Sequence, residues 1–446
     1  MEGFQKTDIG YIPNDWEYGR IDDYFNIQQG KSVSKANRVG NNQKPFLRTS
    51  NLLWGKVTID ELDHLHFTKE EEEKFKLEYN DLLVCEGGDI GRTAIWKNEL
   101  EGCYYQNHLH RVRRRIEDID PVFVLHWMQY AFLYGKVYFG RANITTIPNL
   151  SKSRLSEFTI PKPPLPEQLK ISYLLTTVQK AIEQQDKLIR TTTELKKALM
   201  QKLFTEGTKG ERQKQTEIGP VPESWEVIKL KDFSLLITKG SSPKWQGFNY
   251  STQGILFVRS QNIGWGIIEN EFAYLPDKFN QTQKRSILKE NDVLINLVGA
   301  SIGRVAIAPV FFNGANSNQA VALVRLKKEK LMERFLMYFL LTEKGQEIIK
   351  SNEKAIARAN ISLTDIGNFR IPLTSKSEQI EIVNSIDRIE RKIQVLSMKK
   401  QTLTNLFKTL LHELMTGQRR VHELEFEVLN KEYQIKEQPL SMAAEL

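Results

Sequence analysis

Residues 382–414 read IVNSIDRIERKIQVLSMKKQTLTNLFKTLLHEL, a long segment with regularly spaced apolar residues. At alternating steps of four and three residues, nine of ten positions are apolar. An apolar period of 3.5 residues sustained over this length is typical of a coiled-coil seam, which needs a partner helix to cover it. The ten predicted seam positions are Ile382, Ile386, Ile389, Ile393, Leu396, Lys400, Leu403, Phe407, Leu410 and Leu414.

A partner helix is predicted 211 residues earlier, where the same register has seven apolar positions of ten. Each helix follows an Ile-Pro pair and carries Glu-Gln near its start, at Glu167 and Glu378, and each ends before a glycine, Gly207 or Gly417. Proline before a start, an acidic first turn and a glycine cap are helix-boundary signals. The first seam comprises Ile171, Leu175, Val178, Ile182, Gln185, Ile189, Thr192, Lys196, Leu199 and Leu203.

The repeat extends over the segments before each helix. Residues 7–17, TDIGYIPNDWE, return as TEIGPVPESWE at 216–226, and later motifs recur with a separation that drifts only between 209 and 212. Short Val/Ile/Leu runs bounded by Gly, Asn and Pro predict strands, and helices are expected at Val122 to Tyr134 and Leu331 to Leu341. We therefore predict an α+β fold. It has two globular α/β units in a pseudo-twofold repeat, separated by two long helices that pack as an antiparallel coiled coil.

The expected segments are a first globular unit at 1–160, a helix at 161–207, a second globular unit at 208–371, a helix at 372–420 and a tail at 421–446, to which no role is assigned. No apolar run approaches the ~20 residues of a membrane span, and the N-terminus has no signal-peptide core. The two cysteines do not form a disulfide framework. These features predict a cytoplasmic protein.

Motifs for catalysis or cofactors are missing from the sequence. Gly30-Lys31-Ser32 has Phe25 where a phosphate-binding loop needs its first glycine, and the glycine-rich turn at Glu86–Gly91 changes spacing in the second copy. The pairs His64/His66 and His108/His110 have no counterpart in the second copy, which disfavours a zinc site. We expect a chain without catalytic residues, metal or cofactor.

Nucleic acid is the predicted partner. A net charge of +8 and a pI near 9.1 favour a polyanion, and Arg, Asn and Gln can bond base edges or phosphates. We expect the turns at Gly30 and Gly240 to offer backbone N–H groups and nearby lysines to phosphates. The repeated residues could equally be scaffold. The DNA-binding candidates are Lys31, Ser32, Lys35, Arg48, Asn51, Arg92, Gln106, Asn107, His108, Arg111, Lys239, Ser241, Lys244, Arg259, Gln261, Asn262, Arg304, Asn318 and Gln319.

Some stretches differ completely between the copies. Residues 69–74 read KEEEEK, whereas residues 278–283 read KFNQTQ. A shared scaffold with different loops predicts one task performed on two different targets, because loops on a rigid framework commonly carry recognition.

The doubled signature T-[DE]-I-G-x-[IV]-P-x-x-W-E, with each copy closing in Ile-Pro, Glu-Gln and a long helix, resembles the specificity subunit of Type I restriction-modification systems from Thr7 to about Arg420. The resemblance implies that each globular unit is a target recognition domain for one half of a split DNA sequence. It also implies that the helices form an antiparallel spacer and dock two methyltransferase subunits, which restriction subunits then join. S-adenosylmethionine and ATP would bind to those partners. The polar seam residues Gln185, Thr192 and Lys196 depart from an ideal seam.

A helix of about 38 residues spans ~57 Å, which limits the separation of two half-sites to about 15 base pairs. We expect a four-residue insertion in the helices to lengthen this gap. Three alternatives stay open: a specificity subunit whose partner fuses methylase and nuclease, a self-contained DNA-modifying enzyme, and a coiled-coil scaffold without sequence reading.

Overall fold

The computed structural model describes residues 2–135, 137–138, 149–327, 329–351 and 360–421. The chain forms two compact units: unit 1 comprises Met1–Gln185 and Lys399–Leu446, and unit 2 comprises Asp186–Met398. Each unit thus combines one globular segment with parts of both long helices, so the five sequence segments given above remain a prediction. The tail lies outside the described residues after Val421.

Unit 1 is built from short strands and four helices before the long one. The helices are α1 (Ile21–Tyr24), α2 (Lys69–Phe75), α3 (Pro121–Leu133) and α4 (Lys152–Ser156). The strands are β1 (Phe4–Thr7), β2 (Gly10–Pro13), β3 (Glu17–Arg20), β4 (Phe25–Gln29), β5 (Gln43–Leu47), β6 (Leu52–Leu53), β7 (Lys56–Val57), β8 (Asp63–His66), β9 (Leu82–Cys85), β10 (Thr93–Ile95), β11 (Tyr104–Tyr105), β12 (Leu109–Arg114) and β13 (Thr159–Lys162).

A four-stranded antiparallel sheet, ordered β10-β9-β12-β4, and a three-stranded sheet, ordered β11-β5-β8, form the body of unit 1. Strands β5 and β11 run parallel, so the chain leaves both at the same edge. The α3 helix is almost wholly buried, from Phe123 to Phe132, because its sequence is apolar on every side. Its observed bounds agree with the expected helix to within one residue.

The long helix α5 (Leu165–Glu206) leads into unit 2. Unit 2 contains α6 (Lys278–Thr282), α7 (Glu333–Leu341), α8 (Glu343–Ser351) and α9 (Leu363–Asn368), followed by the second long helix, α10 (Lys376–Met415). Its strands are β14 (Gln213–Thr216), β15 (Gly219–Pro222), β16 (Glu226–Lys229), β17 (Ser234–Lys239), β18 (Ile255–Val258), β19 (Ala273–Leu275), β20 (Val293–Asn296), β21 (Val305–Ile307), β22 (Asn316–Ser317), β23 (Val321–Leu326) and β24 (Arg370–Leu373).

Unit 2 repeats the topology of unit 1. Its four-stranded sheet has the order β17-β23-β20-β21, and its three-stranded sheet has the order β19-β18-β22 with β18 and β22 parallel. Each of these strands matches the one at the same place in unit 1. The mixed helix-and-sheet repeat predicted from the sequence is therefore confirmed.

The long helices run antiparallel within each unit. In unit 1 the start of α5 and the end of α10 share one core, in which Leu175 and Val178 lie with Phe407 and Leu414. In unit 2 the end of α5 packs with the start of α10, as Leu203 and Ile382 belong to one core. A start packed with an end in both units requires opposite directions, as the sequence predicted.

None of the twenty predicted seam positions is exposed, whereas the residues between them are largely exposed. The polar seam positions are accommodated in different ways. Lys196 forms a salt bridge with Glu390 of the other helix, and Thr192 is buried. Gln185 is 7% exposed, and within the described ranges its Oε1 has no hydrogen-bond partner. Lys196 thus gains a specific contact across the helix pair, whereas the buried amide oxygen of Gln185 destabilises the pair.

The helix-boundary signals proved partly different from expectation. Gly207 and Gly417 adopt positive φ values of 67° and 66° just after the helices end, as glycine caps do. However, Pro161 and Pro372 lie inside strands β13 and β24, which pair with β3 and β16, respectively, at the ends of the two opening signatures. These prolines are tolerated because each sits in a two-stranded sheet, where one edge needs no N–H donor.

Glu167 and Glu378 do more than favour a helix dipole. Both are buried, and each accepts a hydrogen bond from an indole N–H, of Trp16 at 3.1 Å and Trp225 at 3.2 Å. The tryptophan of each opening signature thus fastens the globular segment of its unit to the first turn of a long helix.

Candidate nucleic-acid interface

In unit 1, Arg48, Arg92 and Gln106 come together where the parallel strands β5 and β11 end. Gln106 donates its backbone N–H to the residue before Arg48 at 3.0 Å, and the Arg92 guanidinium donates to the carbonyl oxygen of the residue after Arg48 at 2.7 Å. Residues that are 44 and 58 positions from Arg48 in the sequence therefore flank it in the fold.

Unit 2 builds the same junction where β18 and β22 end. Asn318 donates its backbone N–H to the residue before Arg259 at 2.9 Å, and Asn296 donates its amide N–H to the carbonyl oxygen of the residue after Arg259 at 2.8 Å. Arg304 joins the group because its carbonyl oxygen accepts the backbone N–H of Asn296 at 3.0 Å. The equivalent arginines of the two copies therefore occupy equivalent places.

Five arginines of the described residues have a buried Nε–H without a hydrogen-bond partner, and all five belong to the predicted DNA-binding set. By contrast, the repeated residues Arg113 and Arg325 donate their Nε–H to Asp81 and Asp292 at 2.8 and 2.7 Å. A buried donor left unpaired costs about 1–3 kcal/mol, which a bound acceptor would recover. The five residues are Arg48, Arg92, Arg111, Arg259 and Arg304.

The two junctions differ in charge. In unit 1, Arg48 lies 2.9 Å from a carboxylate oxygen of Asp63, and Arg92 forms a salt bridge with Asp89. In unit 2, the Arg259 guanidinium donates to the backbone carbonyl oxygen of Glu271, and within the described ranges no carboxylate forms a salt bridge with Arg259 or Arg304. The unit 2 junction is therefore the less neutralised and should attract an anion more strongly.

Two buried polar residues at the unit 2 junction are not among the candidates predicted from the sequence. Asn296 and Ser317 are both 0% exposed, and the Asn296 Oδ1 and Ser317 Oγ have no hydrogen-bond partner among the residues that the structure describes. In the repeat Asn296 takes the place of Cys85, where burial raises the thiol pKa to about 11 and the neighbouring Arg92 offsets part of that rise. Because the copies differ here, comparing them gave no signal for Asn296.

Lys31 is placed inside the fold. Its side chain is 5% exposed, donates to the carbonyl oxygen of His66 at 2.7 Å, forms a salt bridge with Glu71 and lies over the Phe67 ring. The backbone N–H groups of Gly30 and Lys31 are bonded to carbonyl oxygens of the neighbouring strands. The turn therefore does not present these groups to a phosphate, contrary to expectation, because strand pairing uses them.

Asn51 and Asn262 are also internal, with exposures of 4% and 0%. In each, the side-chain oxygen accepts the backbone N–H of the preceding arginine, Arg48 or Arg259, at 2.9 Å. The amide groups donate to backbone carbonyl oxygens of the following loop. These contacts hold the turn that positions each arginine, so the geometry favours a supporting role over contact with a base.

Arg111 lies apart from the junction. Its guanidinium donates to the carbonyl oxygen of Lys76 at 2.5 Å, just past the end of α2. The other candidates reach the surface to different degrees. Those exposed are Ser32, Lys35, His108, Lys239, Lys244, Gln261 and Gln319, and those half-buried are Gln106, Asn107, Ser241 and Asn318.

The helix pair of unit 2 has one covered and one open flank. Met200 and Val383, each one residue after a seam position, are buried in the core of the unit. Leu188 and Leu195, each one residue before a seam position, are 47% and 57% exposed. With Val395 (63%) and Met398 (71%), they form what we call the apolar flank, defined as Leu188, Leu195, Val395 and Met398.

Over the described ranges, no helix combines the length and apolar character needed to cross a membrane. No cluster of three or more His, Cys, Asp and Glu side chains suited to a metal ion occurs in those ranges.

Comparison with known proteins bears directly on this arrangement. The family described as Type I restriction modification DNA specificity domain matches twice, at residues 13–191 and 222–405. The MjaVIII Type I restriction enzyme specificity subunit of Methanocaldococcus jannaschii is 26% identical over 432 residues, covering 95% of this chain and 98% of the relative. The EcoBI specificity subunit of Escherichia coli is 23% identical over 398 residues, with 85% and 80% covered.

A solved structure agrees in fold. The crystal structure of the Type I restriction-modification system S subunit from M. genitalium has a TM-score of 0.54 and 17% identity, covering 90% of this chain and 96% of that one. Since the family matches twice and covers most of the sequence, the chain belongs to the Type I restriction-modification DNA specificity family, as a specificity subunit with two target recognition domains.

Proposed function

We propose that each compact unit reads one half of a split double-stranded DNA target. The observation that carries this proposal is the set of buried, unpartnered Nε–H groups, because Arg48 and Arg92 in unit 1 have equivalents, Arg259 and Arg304, at the same place in unit 2. Arginine binds phosphate oxygens and the O6/N7 edge of guanine with charge-assisted hydrogen bonds. DNA would supply the acceptors that the protein does not.

The other candidates divide by their exposure. We assign phosphate contacts to the exposed Lys35, Lys239 and Lys244, with Ser32 and Ser241 beside them, because phosphate contacts position a protein on DNA. We assign contacts with base edges to the polar side chains around the two junctions, and a peripheral contact with DNA to Arg111. Lys31, Asn51 and Asn262 act in this proposal by holding the loops. The base-edge candidates are Gln106, Asn107, His108, Gln261, Asn318 and Gln319.

The helix pair is assigned to subunit docking. The apolar flank exposes four large side chains on the helix pair, and exposed apolar side chains in such numbers are typical of protein interaction sites. We infer that methyltransferase subunits, two per chain, bind the helices and that restriction subunits join them. The chain itself would be non-catalytic, with S-adenosylmethionine and ATP bound by those partners. Because chromosomal DNA would be its target, the complex would lie in the cytoplasm.

The alternatives are less well supported. Specificity subunits of Type I systems account for the sequence matches along most of the chain, which lends no support to a self-contained modifying enzyme or to a fused methylase-nuclease partner. A scaffold without sequence reading would leave the unpartnered arginines of both units unexplained.

Genome-wide methylation mapping tests the proposal in a host that expresses this chain with its neighbouring methyltransferase subunit. We expect a two-part motif with a constant gap that disappears when the chain is deleted. Replacing residues 216–371 with the matching segment of another specificity subunit should change one half of the motif and leave the other. Methylation that persists without the chain, or a motif without a gap, would refute the proposal.

A further inference from the structure

A loop of unit 2, residues 240–251, is held firmly at several points. Pro243 is buried, and the Phe248 ring packs against that of Phe279 with centroids 5.3 Å apart. Ser251 donates its backbone N–H to the carbonyl oxygen of Tyr274 at 3.0 Å. Side chains that point out of this loop therefore have a defined direction, since both ends and its middle are fastened.

This loop and its neighbour expose aromatic side chains. Trp245 is 84% exposed, Tyr250 is 58% exposed and Tyr274, on the strand bonded to the loop, is 37% exposed. An exposed indole on an anchored loop does not gain the favourable free energy of burying its apolar surface. Aromatic groups in such positions are typical of binding surfaces. The exposure of Trp245 thus calls for a partner.

The loop belongs to the same framework as the arginine junction. The Gln283 amide donates to the Gln246 side chain at 3.3 Å, and its carbonyl oxygen accepts from the Asn316 amide at 3.1 Å. Asn316 begins β22, whose parallel partner β18 ends immediately before Arg259. The loop that carries Trp245 is therefore linked by hydrogen bonds to the strand beside the one that ends before Arg259.

The matching positions of unit 1 do not carry aromatic residues. Ser34, Val39 and Asp63 stand 211 residues before Trp245, Tyr250 and Tyr274, respectively. A feature present in only one of two similar recognition units fits a role in reading a particular sequence, because residues that read bases should differ between units with different targets.

We propose that Trp245 is a specificity-determining residue for the half-site read by unit 2, where it makes an apolar contact with the methyl group of a thymine in the major groove. The inference rests on the proposed function. Thymine is the base whose major-groove edge carries a methyl group, and apolar side chains recognise it by contact. The indole of Trp245 offers such a surface without needing a hydrogen-bond partner for specificity.

The first test is methylation mapping with Trp245→Ala in the complete complex. We expect one T·A position in the unit 2 half-site to lose discrimination by roughly 5- to 150-fold, with the other half-site and the gap unchanged. Phe311→Ala serves as the control, because Phe311 is also an exposed aromatic (56%) of unit 2 but lies on another turn. An unchanged motif in Trp245→Ala would overturn the inference, as would equal relaxation of both half-sites.

The second test isolates the methyl group. Binding of the complete complex is measured on a duplex carrying the mapped target and on one with deoxyuridine in place of that thymidine. We expect wild type to lose affinity several-fold on deoxyuridine, and Trp245→Ala to bind both duplexes equally. Equal losses in both proteins would contradict the methyl contact. If wild type yields no split motif, the proposed function fails; a normal wild-type motif that Trp245→Ala leaves intact refutes this inference alone.

Discussion

The indole N–H of Trp16 donates a hydrogen bond to the buried carboxylate of Glu167 at 3.1 Å, across 151 positions of sequence. Arg420, which follows α10, pairs with the same carboxylate at 2.7 Å. In unit 2 the indole of Trp225 and the ammonium of Lys209, which follows α5, make the equivalent contacts with Glu378. In each unit a glutamate therefore binds the opening signature, the start of one long helix and the segment after the other.

Glu378→Ala should destabilise unit 2 by about 1–3 kcal/mol, because the Trp225 indole N–H would stay buried without an acceptor. Urea unfolding followed by tryptophan fluorescence measures the change. Glu381→Ala is the matched control: the exposed Glu381 carboxylate accepts a hydrogen bond from the Thr208 hydroxyl, so its loss should cost about 0.5 kcal/mol or less. Equal effects of the two substitutions would argue against the buried carboxylate as the anchor.

Stability should also depend on pH through Glu378. Burial opposes ionisation, but hydrogen bonds from Thr374, the Thr208 backbone, Lys209 and Trp225 outweigh it and lower the pKa of the carboxyl from 4.5. A carboxylate with a lowered folded pKa stabilises the fold above its unfolded pKa, and this stabilisation is lost as pH falls through the folded value. We expect the wild type to lose more stability than Glu378→Gln between pH 6 and pH 3. Parallel loss in both proteins would refute the role of this group.

Arg304→Ala should weaken DNA binding and its dependence on salt. If the guanidinium binds one phosphate, the slope of log affinity against log salt should fall by about 0.9. Fluorescence anisotropy with the mapped target at several salt concentrations measures this slope in the complete complex. Lys231→Ala removes one positive charge from an exposed position outside the junction and should leave the slope nearly unchanged. A normal slope in Arg304→Ala would exclude a phosphate contact, while relaxed selectivity for guanine would indicate a base contact.

Two substitutions in α10 should separate folding from assembly. Ile393→Asp introduces a carboxylate at the half-buried seam, where an unpaired charge should cost several kcal/mol. Val395 lies two residues further along, on the apolar flank, and is 63% exposed, so Val395→Asp should leave thermal unfolding nearly unchanged.

Size-exclusion chromatography with the methyltransferase subunit then measures assembly of both variants. We expect Val395→Asp to fold and fail to assemble, and Ile393→Asp to fail in both respects. A stable Ile393→Asp chain would contradict the seam, and normal assembly of Val395→Asp would exclude this flank as the docking surface.

The sequence alone determined the repeat, the antiparallel helix pair and the family. These features depend on spacing: an apolar period of 3.5 residues makes a helix seam wherever it occurs, and a separation near 211 residues relates one copy to the other. The α3 helix was predicted to within one residue because its thirteen residues form an apolar helix between a capping aspartate and a turn.

The tertiary structure decided which candidate residues face a ligand. Lys31 looked like a phosphate contact in the sequence, but Glu71, forty positions later, neutralises it in the interior. Arg113 and Arg48 are both repeated arginines, yet Asp81 accepts from the Nε–H of the first, whereas no group in the described part of the chain accepts from that of the second. Such differences depend on partners brought together by folding, so the pattern of residue types along the chain does not contain them.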